Sequence, residues 1–116
     1  MRVHGILGSG YLESVYKKAL AHELSKAGLG VECEKPIIVH YDGIAVGDFF
    51  ADMLVEDSVI LELKANQALA LSHEVQLVNY LTATGIEIGL LLNFGGKRLE
   101  FKRKTRPYQP KAVSEI

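Results

Sequence analysis

The sequence predicts an α/β domain built on a mixed sheet with helices on its faces, packed as two layers or as a three-layer sandwich. Three observations carry this expectation. The periodicities run helix, three strands, helix, two strands. Short turn signals, Asp42-Gly43 and Glu56-Asp57-Ser58, separate the first three strand-like runs. The run from Ile86 to Phe94 is dominated by apolar residues, as in a strand buried on both faces.

A Gly-rich lead-in, Gly5 to Gly10, opens a helix from about Leu12 to Ala27. Its apolar stripe is Leu12, Val15, Tyr16, Ala19, Leu20, Leu24 and Ala27, and Gly28 closes it. Val31 to Tyr41 reads as a strand, and Pro36, which cannot donate to a ladder, assigns it to a sheet edge. Asp42-Gly43 turns the chain into a second strand, roughly Ile44 to Val55, and a third runs from Val59 to Ala65. A partly helical connection over 66–71 leads to a second helix, about Ser72 to Thr84, closed by Gly85. Val75, Val78 and Leu81 are its expected core-facing set. Ile86 to Phe94 is the fourth strand, and Gly95-Gly96 turns into a polar fifth, Lys97 to Lys104. One domain is expected over residues 1–106, with a loose Pro-containing tail over 107–116.

At 116 residues, 48% of them hydrophobic, the chain has the size of one ordinary domain, able to bury roughly two-thirds of its unfolded surface. No apolar run approaches the ~20 residues that a membrane helix needs, so no membrane partner is expected. The start, Met-Arg-Val-His-Gly, lacks the apolar core of a signal peptide, and Cys33 is the sole cysteine. A reducing cytoplasm is the expected setting, with Cys33 as core or strand filler. Charge is lopsided. Residues 1–96 hold six lysines and arginines against twelve acids. Residues 97–116 hold seven (Lys97, Arg98, Lys102, Arg103, Lys104, Arg106, Lys111) against Glu100 and Glu115. A basic segment beside an acidic body suits phosphate contacts. It equally suits lysine protection of an exposed sheet edge.

The chemistry concentrates in the second and third strands. Successive strand residues face opposite sides, so Glu62 and Lys64 point one way while Leu61 and Leu63 point the other. If Glu56-Asp57-Ser58 forms the turn, Val55 pairs with Val59 and Asp52 falls opposite Glu62. Carboxylates so placed repel, with side-chain carbons about 4.5–5.5 Å apart. A divalent cation between them removes the conflict, and hard oxygens suit magnesium or manganese. Glu62-x-Lys64 alone has an ordinary explanation as a solvated strand face. Its place at the polar end of an apolar strand argues for a site, since ligands gather at such ends.

Gln76 and Tyr80, four residues apart, share one helix face and either border the core or reach over the carboxylates or a phosphate. Glu13 opens the first helix, where an acid is favoured and Lys17 at i+4 offers a salt-bridge partner; as a functional residue it would bring a third carboxylate. His4, His22, His40 and His73 lack the companions of a zinc motif; His73, at a helix start near Gln76, reads as a surface residue ahead of one lining a cleft. Gly8-Ser9-Gly10 precedes a helix but follows no strand, so it is a weak match to a dinucleotide fingerprint.

Gly10-Tyr11-Leu12-Glu13-Ser14-Val15-Tyr16 matches G-x-x-E-x-x-Y residue for residue. The chain resembles the prokaryotic GxxExxY protein family, itself similar to the PD-(D/E)XK nuclease superfamily. The likeness continues through Ala51-Asp52, Glu62-Leu63-Lys64-Ala65, His73-Glu74-Val75-Gln76, Tyr80 and Leu90 to Gly95, about residues 3–106. It implies a restriction-endonuclease-like core and hydrolysis of nucleic-acid phosphodiesters, DNA first, dependent on Mg2+ or Mn2+. It implies Asp52 and Glu62 as metal carboxylates, the Leu63 carbonyl as a further ligand, and Glu13 completing the acidic cluster. Lys64 would orient or polarise the attacking water. Gln76 and Tyr80 match the glutamine–tyrosine motif of the exonuclease-like branch, and Lys97, Arg98, Lys102, Arg103 and Lys104 are the candidate phosphate contacts. Ala51 stands where the superfamily has its eponymous proline, a position that carries no catalytic atom. Family members generally have another helix before the signature, whereas nine residues precede Gly10 here; core surface left bare by its loss would favour a homodimer. The alternative is a non-catalytic nucleic-acid- or protein-binding module that keeps the nuclease-like fold.

Overall fold

A computed structural model of the chain describes residues 2–107. Its elements are α1 (Arg2–Leu7), α2 (Glu13–Lys26), β1 (Val31–Tyr41), β2 (Ile44–Val55), β3 (Val59–Lys64), α3 (Leu71–Thr84), β4 (Ile88–Asn93) and β5 (Glu100–Thr105). The expected tail lies outside the described residues, except for Pro107. No described helix is long and apolar enough to cross a membrane.

The five strands form one sheet in sequence order, β3 and β4 parallel and the other neighbours antiparallel. Tight turns suffice between antiparallel neighbours, whereas the parallel β3–β4 step needs a crossover, which α3 supplies. Asp42 and Gly43 both take positive φ in the β1–β2 turn, as a two-residue hairpin requires. Val55 pairs with Val59, the register expected from the Glu56-Asp57-Ser58 turn. Pro36 lies on an edge strand, β1, where a residue without an N–H is tolerated.

The packing is a three-layer sandwich. On one face Val3, Tyr16 and Leu20 of α1 and α2 cover Met53, Val55, Leu61, Leu63, Leu92 and Phe94. On the other, Leu77, Tyr80 and Leu81 of α3 cover Ile37, Ala51, Leu54, Ile60 and Leu91. β4 is covered on both sides, as its composition predicts.

Local expectations shift in five places. Leu12 is exposed, because the chain there is still extended and the helix begins one residue later. Val75 is half exposed; the α3 face that meets the sheet is Leu77, Tyr80 and Leu81, since Leu77 drops onto Gly89, within 2.7 Å of where a Cβ would stand. The 66–70 connection carries no helix, being held by side chains instead. Cys33 is exposed on the edge strand rather than core filler. Finally, a helix does precede Gly10. α1 buries Val3 under the sheet, and its His4 Nε2 lies 3.0 Å from the Gly96 carbonyl oxygen. That contact covers the surface expected to lie bare, so the reason for a homodimer falls away.

Candidate functional site

The β2–β3 ladder runs through Val55↔Val59, Leu54↔Ile60 and Met53↔Leu61. One step further, Asp52 and Glu62 replace main-chain pairing with side-chain bonds. The Asp52 N–H donates to Glu62 Oε1 at 3.2 Å, and the Leu63 N–H donates to Asp52 Oδ2 at 2.7 Å. Each carboxylate thus satisfies main chain that the parting strands would leave unpaired. A slip in facing accompanies this. Ala51 and Leu54 both pack toward α3 while Met53 and Val55 pack toward α2, so strict alternation breaks at Asp52.

Both acids are nearly sealed, Asp52 at 8% and Glu62 at 4% exposure. Burial, and then the charge on Asp52, push the Glu62 carboxyl up to about 8. Glu13, the first residue of α2, shares this field: burial and the charge on Asp52 raise its carboxyl, while Lys64, Lys17 and His73 pull it back. Tyr80 feels it from α3, its phenol raised by burial and by the charges on Glu62 and Asp52. Residues of four elements, α2, β2, β3 and α3, therefore share one electrostatic field. Among the described residues, no three His, Cys, Asp or Glu side chains gather closely enough to hold an ion by themselves. The Asp52–Glu62 pair is the nucleus, with Glu13 an electrostatic neighbour. Leu63 enters through its N–H, and its side chain is core. Lys64 forms no ion pair among the described residues, and its charge acts on Glu13 and Glu62.

Lys17 corrects the sequence reading. It forms no ion pair with Glu13; its ammonium lies 3.1 Å from Asp52 Oδ1 and also contacts Glu34. The helix places Lys17 one turn along the face that Glu13 starts, and that face looks onto β1 and β2, which brings two better partners than its own helix offers.

The G-x-x-E-x-x-Y stretch acquires a structural meaning. The Tyr16 hydroxyl donates to the Gly8 carbonyl at 2.6 Å and accepts the Tyr11 N–H at 3.2 Å, tying the lead-in to α2. Its ring stacks on Phe94 at 4.7 Å. Gly10 takes φ +108°, a conformation that L side chains rarely adopt. Together these contacts hold the helix start that carries Glu13.

Asn93, to which the sequence alone assigns no role beyond its place in the Leu90–Gly95 stretch, holds the site from behind. It is fully buried at the end of β4; its Oδ1 accepts the Asn66 and Gly95 N–H groups, and its Nδ2 donates to the Asn66 carbonyl and to Glu100. The Phe94 N–H adds a bond to the Lys64 carbonyl. A lone amide closing the run Leu90-Leu91-Leu92 was the available signal. His73 is half-buried rather than a surface residue. Its Nδ1 accepts the Ala70 N–H at 3.1 Å, which caps α3 and leaves Nε2 facing Asn66.

Gln76 and Tyr80 line a cleft of about 740 Å³ between α3 and the β1–β2 hairpin, with Val39, His40, Phe49 and Asn79. The Phe49 and Tyr80 rings meet at 5.8 Å and 44°. The basic residues divide. Lys102 and Lys104 lie on the α3 side, where Lys104 pairs with Glu74 at 2.6 Å. Arg103 alternates to the opposite side, as its pairing with Leu90 requires, and Lys97 and Arg98 are exposed in the β4–β5 turn. Lys111 lies outside the described residues.

A five-stranded mixed sheet between helices, with an acid pair and a lysine at the strand ends, defines a nuclease-like α/β fold. A family model described as the PD-(D/E)XK nuclease superfamily matches residues 1–104, and the chain belongs to that superfamily. Its members generally use divalent metal ions. No curated protein matches the sequence. Among solved structures, the crystal structure of SSO0001 superposes with a TM-score of 0.66 at 18% identity, over 83% of this chain and 50% of that one. An alkaline exonuclease from Laribacter hongkongensis superposes with a TM-score of 0.54 at 17% identity, over 81% of this chain and 56% of that one. These likenesses show the fold, a restriction-endonuclease-like core. The chain spans about half the length of the structures it matches.

Proposed function

We propose that the chain is a metal-dependent nuclease that hydrolyses phosphodiester bonds in DNA with Mg2+ or Mn2+. One observation carries this reading: Asp52 and Glu62 are buried and adjacent on neighbouring strands, with Lys64 at the end of the same strand as Glu62. The donor set fits a hard divalent ion, which would relieve a repulsion that burial makes severe. Asp52, Glu62 and the Leu63 carbonyl would hold it, with Glu13 approaching from α2. Such an ion lowers the pKa of its water and neutralises charge on the scissile phosphate. Lys64 would orient that water and offset the negative charge gathering at phosphorus. Gln76 and Tyr80 would position the strand along the cleft, and Lys97, Arg98, Lys102, Arg103 and Lys104 would meet its phosphates. Superfamily membership and the likeness in fold to an exonuclease support this reading. We place the chain in the GxxExxY branch on Gly10, Glu13 and Tyr16, and in the cytoplasm on its single cysteine.

Purified protein incubated with single- and double-stranded DNA, and with RNA, in MnCl2, MgCl2 or EDTA tests this. Metal-dependent cleavage of DNA is expected, falling in Asp52→Asn by more than about 100-fold, beyond the loss typical of an outer partner. No cleavage of any substrate, together with no heat of Mn2+ binding, would sink the reading. A binding module is the second reading, favoured by the half-length match to the solved structures. It requires that wild type and Asp52→Asn bind DNA alike and that neither cuts.

A further inference from the structure

We propose that Lys17 is a resident counterion of Asp52, which a divalent cation must displace and which Glu34 then retains. This rests on the metal reading of the Asp52–Glu62 pair and adds a residue that tunes its affinity.

Both oxygens of Asp52 are engaged. Oδ2 accepts the Leu63 N–H at 2.7 Å, and Oδ1 lies 3.1 Å from the Lys17 ammonium. A cation arriving at Oδ1 meets a like charge at contact distance. The site is partly shielded from water, with side-chain exposures of 22% for Lys17 and 12% for Asp52, so that repulsion is poorly screened.

Glu34 gives the displaced ammonium somewhere to go. It already contacts Lys17, and its side chain is 56% exposed, so the pair stays solvated without Asp52. Its neighbours pair as Cys33↔Met53 and Lys35↔Ala51, which sets Glu34 opposite Asp52 across the β1–β2 hairpin. Glu34 also takes φ +52°, a left-handed conformation unusual for a residue with a side chain. Strain of that kind persists only where the surroundings enforce it. Here it accompanies a carboxylate within reach of the same ammonium that Asp52 holds.

Calorimetric titration of the metal-free protein with MnCl2 tests the idea in wild type, Lys17→Met, Glu34→Gln and the double variant. Lys17→Met is expected to bind Mn2+ about tenfold more tightly, the effect of removing one partly screened like charge. Glu34→Gln is expected to bind about threefold more weakly, because Lys17 loses its second partner and stays on Asp52. In the Lys17→Met background, Glu34→Gln is expected to change affinity by less than about twofold, since Glu34 acts through Lys17. Equal or weaker binding by Lys17→Met overturns the proposal. So do additive effects of the two substitutions, which would reflect through-space charge alone. If Lys17→Met does not fold, Glu34→Gln decides, and unchanged affinity there overturns it. Mn2+ binding that survives Asp52→Asn unchanged overturns the metal reading itself. Binding lost in Asp52→Asn but indifferent to Lys17 and Glu34 overturns the counterion alone.

Discussion

Glu62 is an acid held where its charge is unwelcome. Its carboxyl rises from 4.5 to about 8, so the folded protein binds this proton more tightly than the unfolded chain does. In the metal-free protein that contribution is complete below pH 4.5 and is lost as the pH climbs through about 8. Glu62→Gln keeps the acceptor for the Asp52 N–H and removes the titration. In EDTA, thermal unfolding is expected to show the variant melting several degrees above wild type near pH 9 and level with it near pH 5. Equal melting at the higher pH would contradict a charged, buried Glu62. Gly95 makes a different residue-scale prediction. A Cβ there would stand 2.1 Å from the Asn66 carbonyl oxygen and 2.6 Å from the Ala65 carbonyl carbon. Both are main chain and cannot swing aside. Gly95→Ala is expected to cost more than about 3 kcal/mol in urea unfolding, the scale of severe overpacking.

At the scale of elements, the site depends on strands that part in a controlled way. β2 and β3 separate after Met53↔Leu61, and the two acids take over the freed N–H groups. β3 ends at Lys64, and the connection beyond it is held by Asn93 from the neighbouring parallel strand. Asn93→Leu nearly conserves volume but strands the Asn66 and Gly95 N–H groups and the Asn66 carbonyl. A loss of about 3 kcal/mol is expected, since each buried polar group left unpaired costs about 1–3 kcal/mol. Hydrogen exchange checks the cause: the Asn66 and Gly95 amides should lose protection while the α2 core keeps its own. Protection unchanged at both amides would mean that the loop is held by something other than Asn93.

For the whole molecule, the charged end of the sheet and the stability of the fold are linked. A ligand that binds only the folded state stabilises it by about 2.7 kcal/mol at one hundred times its dissociation constant. MnCl2 is therefore expected to raise the melting temperature of wild type and to leave Asp52→Asn unmoved. A shift of equal size in both would place the ion elsewhere. The shape bears on substrate as well. The described residues extend over 50 × 30 × 22 Å, and Val39, His40 and Phe49 of the β1–β2 hairpin line the cleft together with Gln76 and Tyr80.

Apart from α1, the element order, the hairpin at Asp42-Gly43, the Val55↔Val59 register and the meeting of Asp52 with Glu62 follow from the sequence by itself. Each is set by periodicity or turn chemistry acting over a few residues, and such local preferences are written residue by residue. The tertiary structure alone decided that Lys17 answers to Asp52 rather than Glu13, that Asn93 braces the loop behind Lys64, and that α3 turns Leu77 rather than Val75 inward. Those outcomes join positions far apart along the chain. They depend on where close packing at Gly89 and the facing slip at Asp52 bring whole elements, and no local pattern encodes that.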